Sequence, residues 1–198
     1  MLEYISIGLF LVLTIWSIWR LVTVADGRFI QVLLITLPLG WLASDLLSGF
    51  LHWALDTLGS VNTPIVGKSF IRPFREHHVD PKAMTHHDFV ETHGSSCFAA
   101  LPFLVAASLI GLETYGSYLL QAFIITVALG ALATNQCHKW AHMDTDSVPR
   151  VVRWAQEYHL VLPPRQHQLH HTSPYNSHFC MSNGWLNSLF NGYLRLWR

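Results

Sequence analysis

The sequence predicts an all-α fold: an integral membrane bundle of about four transmembrane helices with a cytosolic, histidine-rich cap. Three observations predict it. Hydrophobic residues make up 51% of the chain and charged residues only 12%, about half the charged share of a soluble domain. The apolar residues fall in runs long enough to cross a bilayer core of ~30 Å at ~1.5 Å per residue. Histidines number 13, against 12 for lysine and arginine together, and they cluster in the polar remainder. A mean hydropathy of +0.31 agrees. The length of 198 residues suits one domain, 1–198. A formal net charge of zero offers no basic field for nucleic acid. Cys97, Cys137 and Cys180 form no C-x-x-C pair and no disulfide framework, which suits loops facing a reducing compartment.

The first span covers about residues 4–24, apolar apart from Arg20. A signal peptide is the alternative, but there is no basic leading region and no small-residue cleavage site. Asp26-Gly27 marks a tight turn. The second span, about 30–52, lies in a helical stretch from Phe29 to Leu58 that would be roughly 45 Å long, more than a bilayer core. Its last turns should emerge from the core, and Pro38 is a candidate kink. Residues 59–95 are polar and carry Lys68, Arg72, Arg75 and Lys82. The third span is about 97–112 and the fourth about 118–138, the latter continuing helically to His142. Residues 143–198 are polar, aromatic and rich in Pro and His.

Four crossings put the N-terminus, the 59–95 segment and the 143–198 segment on one side. Most Lys and Arg lie there, so the positive-inside rule makes that side cytosolic. Arg20 and Arg28, flanking the short outer hairpin, dissent. Between Pro149 and Leu162, apolar residues recur at Val151, Val152, Ala155, Tyr158 and Leu162, with Ser147 a candidate N-cap and Pro149 a first-turn residue. Arg150, Arg153 and Trp154 suit a headgroup layer, so this is either an interfacial amphipathic helix or an ordinary packed one.

The histidines fall into four groups. His52 shares a helix face with Asp45 and Asp56, since positions 45, 49, 52 and 56 align at ~100° per residue. Asp45 lies inside an apolar span, where ionisable groups are costly and usually functional. It could instead be a buried helix–helix hydrogen-bonding group. Glu76-His77-His78 form the second group. His138 and His142, at i and i+4, stack two imidazoles on one face, and Asn135 joins that face. His167-Gln168-Leu169-His170-His171 is an H-x-x-H-H cluster. All of these lie at the predicted cytosolic ends of spans or in cytosolic segments, so the eight imidazoles can converge at one depth.

Neutral imidazole suits Zn, Cu, Fe and Ni. A structural zinc site uses four ligands, commonly with Cys, so eight histidines without a thiolate motif exceed one metal's capacity. Two metals with open positions for O2 fit better, and two iron ions suit O2 chemistry at an unactivated C–H bond. The expected ligands are His52, His77, His78, His138, His142, His167, His170 and His171. Asp56, His87, Asn135 and Asp45 are further candidates, as ligands or as groups that orient ligands, with the orienting role expected for Asp56 and His87. A zinc hydrolase would want H-E-x-x-H, and His138-Lys139-Trp140-Ala141-His142 lacks the glutamate. A bis-histidine haem carrier would want paired histidines on facing spans rather than this cluster.

At these motifs the chain resembles a known family. SGFLHWALDTLGSVNTPIVGKSFIRPFREHHVDP, HHDFVET, NQCHKWAH, HQLHH and CMSNGWLN, in that order from about residue 40 to 192, are similar to the plasmanylethanolamine desaturase (Kua/CarF) family. The resemblance implies a lipid desaturase domain that introduces the vinyl ether bond of plasmalogens into the 1-O-alkyl chain of an ether phospholipid. It implies iron, O2 and two electrons from a donor such as cytochrome b5 or ferredoxin, with the membrane phospholipid as substrate. The family's histidines fall on the eight residues above, with His87 a further match. Two positions depart from the pattern: Pro174-Tyr175 stands where the family has Pro-His, and His93 where it has Asn. The alternative is an acyl-lipid desaturase or hydroxylase acting near the glycerol backbone.

Overall fold

The computed structural model describes residues 1–25 and 27–196, and the expected turn at Asp26-Gly27 lies partly outside them. Eight α-helices run in order among the described residues: α1 (Leu2–Thr23), α2 (Phe29–Thr57), α3 (Arg72–Val79), α4 (Phe89–Leu109), α5 (Tyr115–His142), α6 (Arg150–Glu157), α7 (Pro164–His170) and α8 (Asn187–Arg195). A π-helical turn, Gly67–Ile71, precedes α3, and 3-10 turns cover Ala83–His86 and Thr145–Ser147. Helices α1, α2, α4 and α5 are each long and apolar enough to cross a membrane. The residues divide into two compact units, Met1–Ser44 with Asp88–Asn135 and Asp45–His87 with Gln136–Arg198.

The first unit is packed inside out relative to a water-soluble bundle. Along α1 the buried positions are Ser6, Phe10, Thr14, Ser17 and Leu21, which recur at helical spacing and are mostly small and polar. Leu9, Val12, Ile15, Trp16 and Trp19 face outward. Lipid supplies no hydrophobic drive between helices, so small residues that allow close approach collect at the contacts. Gly40 of α2 illustrates this: a Cβ there would lie 2.3 Å from Thr126 Oγ1 of α5, and that hydroxyl donates to the Thr36 carbonyl at 3.0 Å. The apolar core comprises Phe10, Leu104, Tyr118 and Ile125 among others.

Helix ends explain several charges. Asp88 and Glu91 form a reciprocal capping box: Glu91 N–H donates to Asp88 Oδ1 at 2.8 Å and Asp88 N–H to Glu91 Oε2 at 3.0 Å. This cap starts α4 at Phe89, eight residues before the apolar run begins at Cys97. Arg20, a dissenter from the charge rule, donates to the carbonyls of Ser108 and Ile110 and so closes the end of α4. Arg28, the other, stands 5.3 Å from the Tyr115 ring centre. Both have local roles on their own side of the chain.

In the second unit, Arg75 donates to the Leu58 and Gly59 carbonyls at 3.1 and 3.0 Å, closing the end of α2 onto the α3 segment. Pro38 lies inside α2, which continues through it. Ser147 does not cap α6. It ends the preceding 3-10 turn, and Pro149 occupies the N-cap position. The helix stops at Glu157 rather than reaching Leu162, because His159 turns the backbone at φ 55.

Candidate metal centre

Four chain segments supply the site, all from the second unit. His52 and Asp56 lie one turn apart at the end of α2, and His77 and His78 sit on α3. His138 and His142 occupy the last turns of α5. His167 and His170 lie on α7, with His171 just after it.

Their ligand atoms gather in two groups. In the first, His77, His138, His142, His167 and His171 each present one ring nitrogen, all within 4.8 Å of one another. His167 Nε2 stands 3.0 Å from His138 Nε2, 2.6 Å from His142 Nε2 and 3.1 Å from His171 Nε2. His77 Nε2 is 3.0 Å from His142 Nε2 and 3.1 Å from His171 Nε2. In the second group, His52, Asp56, His78 and His170 meet the same 4.8 Å limit. Asp56 Oδ2 is 3.0, 3.4 and 3.5 Å from the Nε2 atoms of His78, His52 and His170, and His52 and His170 approach to 3.1 Å.

Hydrogen bonding alone cannot account for these distances. A neutral imidazole Nε2 carries either one proton or one lone pair, yet His167 Nε2 faces three other nitrogens. Lone pairs converging in this way repel unless a cation lies among them. Donors ~2.0–2.2 Å from a tetrahedral ion lie ~3.3–3.6 Å apart, close to the spacing of the second group. The donor set therefore fits a metal, and two groups fit two metals.

Protonation agrees. His77 is pushed down to about 2, by burial first and then by the imidazoles around it, His142 foremost. His170 falls to about 3 and His171 to about 4, again chiefly through burial. His167 is lowered well below its ordinary value by burial and then by His142. All four remain neutral, the form that binds metal. The Cys180 thiol is pushed up by burial and then by the Asp45 carboxylate, so it stays protonated and is no thiolate ligand.

The surroundings orient two of the rings. His170 Nδ1 stands 3.0 Å from the Ser177 carbonyl. The ring N–H donates there, which leaves Nε2 as the lone-pair donor. Phe179 packs its ring 4.8 Å from His170 and 6.1 Å from His52, and Phe74 lies 5.0 Å from His52 on another side. Tyr175, at the position that departs from the family pattern, sits 5.3 Å from the His78 ring. Sequence reasoning missed Ser177, Phe179 and Phe74. None has a distinctive spacing, although Phe74 lies four residues before His78.

Of the further candidates, Asp56 alone joins a group. Asp45 is fully buried but serves the segment after the H-x-x-H-H cluster. Its Oδ1 accepts from the backbone N–H groups of Ser182, Asn183 and Gly184 at 2.9, 3.1 and 3.0 Å, and its Oδ2 from Leu186 N–H at 3.2 Å. Neither metal ligation nor a helix–helix bond describes it. Ser48 Oγ accepts from Met181 N–H at 2.9 Å. A Cβ on Gly49 would lie 2.7 Å from Cys180 Sγ, so only glycine admits this close approach. The α2 face that bears His52 thus grips residues 180–186 from end to end. Asn135 donates to the Thr92 carbonyl and to Ser96 Oγ, at 2.9 and 2.7 Å. His87 is exposed, and its carbonyl accepts from Lys139 Nζ at 2.5 Å. Both stand outside the two groups, as does His93, which is buried in the first unit.

Four apolar helices and paired histidine groups describe an integral membrane protein with a metal site. The chain belongs to the lipid desaturase domain family, which it matches over residues 41–198. It is 44% identical over 185 residues to plasmanylethanolamine desaturase from Myxococcus xanthus, covering 93% of this chain and 63% of that protein. To plasmanylethanolamine desaturase 1 from Mus musculus it is 38% identical, covering 93% of this chain and 70% of that protein. To the chloroplastic fatty acid desaturase 4 from Arabidopsis thaliana it is 33% identical over 152 residues, 76% of this chain and 45% of that protein. No solved structure matches the chain.

Proposed function

We propose that this protein is a di-iron, O2-dependent desaturase that forms the vinyl ether bond of plasmalogens from a 1-O-alkyl phospholipid. The observation that carries the reading is the pair of donor groups, one of five histidines and one of three histidines with Asp56. The likeness to two plasmanylethanolamine desaturases supports the substrate. We assign His77, His138, His142, His167 and His171 to one iron and His52, Asp56, His78 and His170 to the other. Asp56 acts as a ligand rather than an orienting group. Its Oδ2 meets the Nε2 atoms of His52, His78 and His170, which would hold the ion, whereas an orienting carboxylate would take the N–H on the far side of a ring.

Two irons bound there would supply O2 activation at an unactivated C–H bond. The alkyl chain gives up one hydrogen from each of two adjacent carbons. Those two hydrogens, two electrons from an external donor such as cytochrome b5 or ferredoxin, and two protons reduce O2 to two waters. The chain's own residues prepare this. The Ser177 carbonyl fixes the His170 tautomer, and burial keeps the rings neutral. Phe179 and Phe74 cover His52 with hydrocarbon, which keeps water from that ring. The Lys and Arg residues of 59–95 and 143–198 favour a cytosolic position for the histidines.

A second reading, desaturation of an acyl chain beside its carbonyl, draws on the likeness to fatty acid desaturase 4. One experiment separates the two. Cells expressing the protein are fed a 1-O-alkylglycerol deuterated at the first two alkyl carbons. A plasmalogen that has lost one deuterium from each carbon is expected. Retained label with an alkene in the acyl chain would reject the ether substrate and favour the acyl reading.

A further inference from the structure

An arginine-edged open cavity beside α6 and α7 includes none of the metal-group residues in its lining. It holds about 700 Å3 and is lined by Arg150, Arg153, Trp154 and Glu157 of α6 and by Arg165 and Gln166 at the start of α7. Three guanidiniums thus face one carboxylate. Arg153 reaches Asp146 only at 3.9 Å. Arg150 and Arg165 have no ion-pair or hydrogen-bond partner among the described residues. A lone unpaired arginine is ordinary on a surface, but two around one concavity, beside a third held only by a long ion pair, suit an anion. Arginine's planar fork matches phosphate oxygens two at a time.

The same helix carries an apolar face without a protein partner. Val151, Trp154 and Tyr158 are 70%, 52% and 64% exposed, and they recur at i, i+3 and i+7. The rings of Trp154 and Tyr158 lie side by side, tilted, with centres 5.1 Å apart. Val152 and Gln156, on the other face, are buried. An outward apolar stripe edged by arginine and tryptophan is the composition of a helix lying in a lipid headgroup layer.

We infer that this cavity binds the phosphate diester of a membrane phospholipid, with Arg150 and Arg165 as its donors and the Val151–Trp154–Tyr158 face set in the lipid. The site bears on the reaction through α7. Arg165 precedes His167 by two residues and His170 by five, ~3 and ~7.5 Å along the helix axis. In a glycerophospholipid the first carbons of the ether chain lie only a few bonds from the phosphate. A phosphate held at the start of α7 fixes the headgroup on the helix that bears His167 and His170, with the ether carbons nearer to it along the lipid than an acyl midpoint. Headgroup binding thereby selects which carbons react. This last step rests on the desaturase reading; the phosphate site does not.

The test uses the full chain, iron-loaded, in a phosphate-free neutral detergent, with the double variant Arg150→Gln/Arg165→Gln beside it. Both arginines are exposed, so the variant should keep its iron content and unfolding temperature. The probes are a 1-O-alkyl-2-acyl-glycerophosphoethanolamine, the same alkylacylglycerol without phosphate, and inorganic phosphate. Native mass spectrometry should show the wild type retaining the phospholipid at least about tenfold better than the phosphate-free lipid, a preference the variant loses. In turnover, KM for the phospholipid should rise about tenfold in the variant, with the phosphate-free substrate unaffected. Equal retention of the two lipids by the wild type, or an unchanged preference in the variant, overturns the site. Inorganic phosphate at millimolar concentration competing as well as the lipid would overturn the lipid assignment in favour of a soluble ligand. If the preference is found but neither lipid yields an alkene, the desaturase reading fails and the phosphate site stands.

Discussion

Asp56 shows what residue types at a given spacing can and cannot reveal. Its i, i+4 relation to His52 was legible in the sequence, as were the H-x-x-H-H and H-x-x-x-H pairs, because helix periodicity alone aligns them. Ligand or orienting partner was not legible, since that depends on which ring nitrogen the carboxylate meets. It meets three Nε2 atoms. Metal analysis of the purified protein should therefore find about two irons per chain. Asp56→Ala and His142→Ala, drawn from different groups, should each fall toward one, while His87→Ala keeps two. One zinc and no iron in the wild type would end the di-iron assignment. The imidazoles also set a pH dependence. His77, His170 and His171 titrate at about 2, 3 and 4 in the folded protein, against ~6.5 unfolded. Between those values the unfolded chain binds more protons, so acid favours unfolding. The unfolding midpoint of chelator-treated protein should hold level above pH ~6.5 and fall steadily as pH drops toward ~4. A midpoint that rose on acidification would contradict burial of neutral rings.

At the scale of elements, the four long helices were legible because apolar runs and the lengths they require are local properties. The start of α4 was not, since its cap lies in polar sequence outside the apolar run. Nor was the grip of α2 on residues 180–186. Its bonds join side chains of α2 to backbone N–H groups 133 to 141 residues later, and no periodicity marks them. Asp45 is the strongest of these ties, a buried charge satisfied by four donors. Asp45→Ala leaves all four N–H groups without their acceptor and should cost about 1–3 kcal/mol for each that stays unsatisfied. Asp45→Asn keeps one oxygen and should cost less. Denaturation in detergent reads the stability, and iron content reads the site, because Ser177 and Phe179 adjoin the gripped segment. A variant Asp45→Ala with wild-type stability and full iron would remove this segment from any role in positioning His170.

For the whole molecule, the two departures from the charge rule at Arg20 and Arg28 have local explanations, a helix cap and a ring contact. The remaining charge pattern can then be taken at face value. On the proposed topology, four crossings put residues 59–88 and 143–196 on the cytosolic side and the α4–α5 turn opposite. Lys82 and Glu113, both exposed, test this. In intact cells a membrane-impermeant maleimide should label Glu113→Cys and spare Lys82→Cys, and permeabilisation should expose the latter. The native thiols are all buried and should contribute little background. The reverse pattern would invert the topology.

The distribution of donors along the chain also dictates an order of assembly during translation. When α3 has left the ribosome, the nascent chain holds three of the four donors of the second group but only His77 of the first. His170 emerges 118 residues after His52, and the last N–H that Asp45 accepts follows 16 residues later, at Leu186. Neither group can close before α7 is made, and all four long helices precede α7 in the chain. Any metal held by these groups therefore waits on a segment that is synthesised after the last apolar helix.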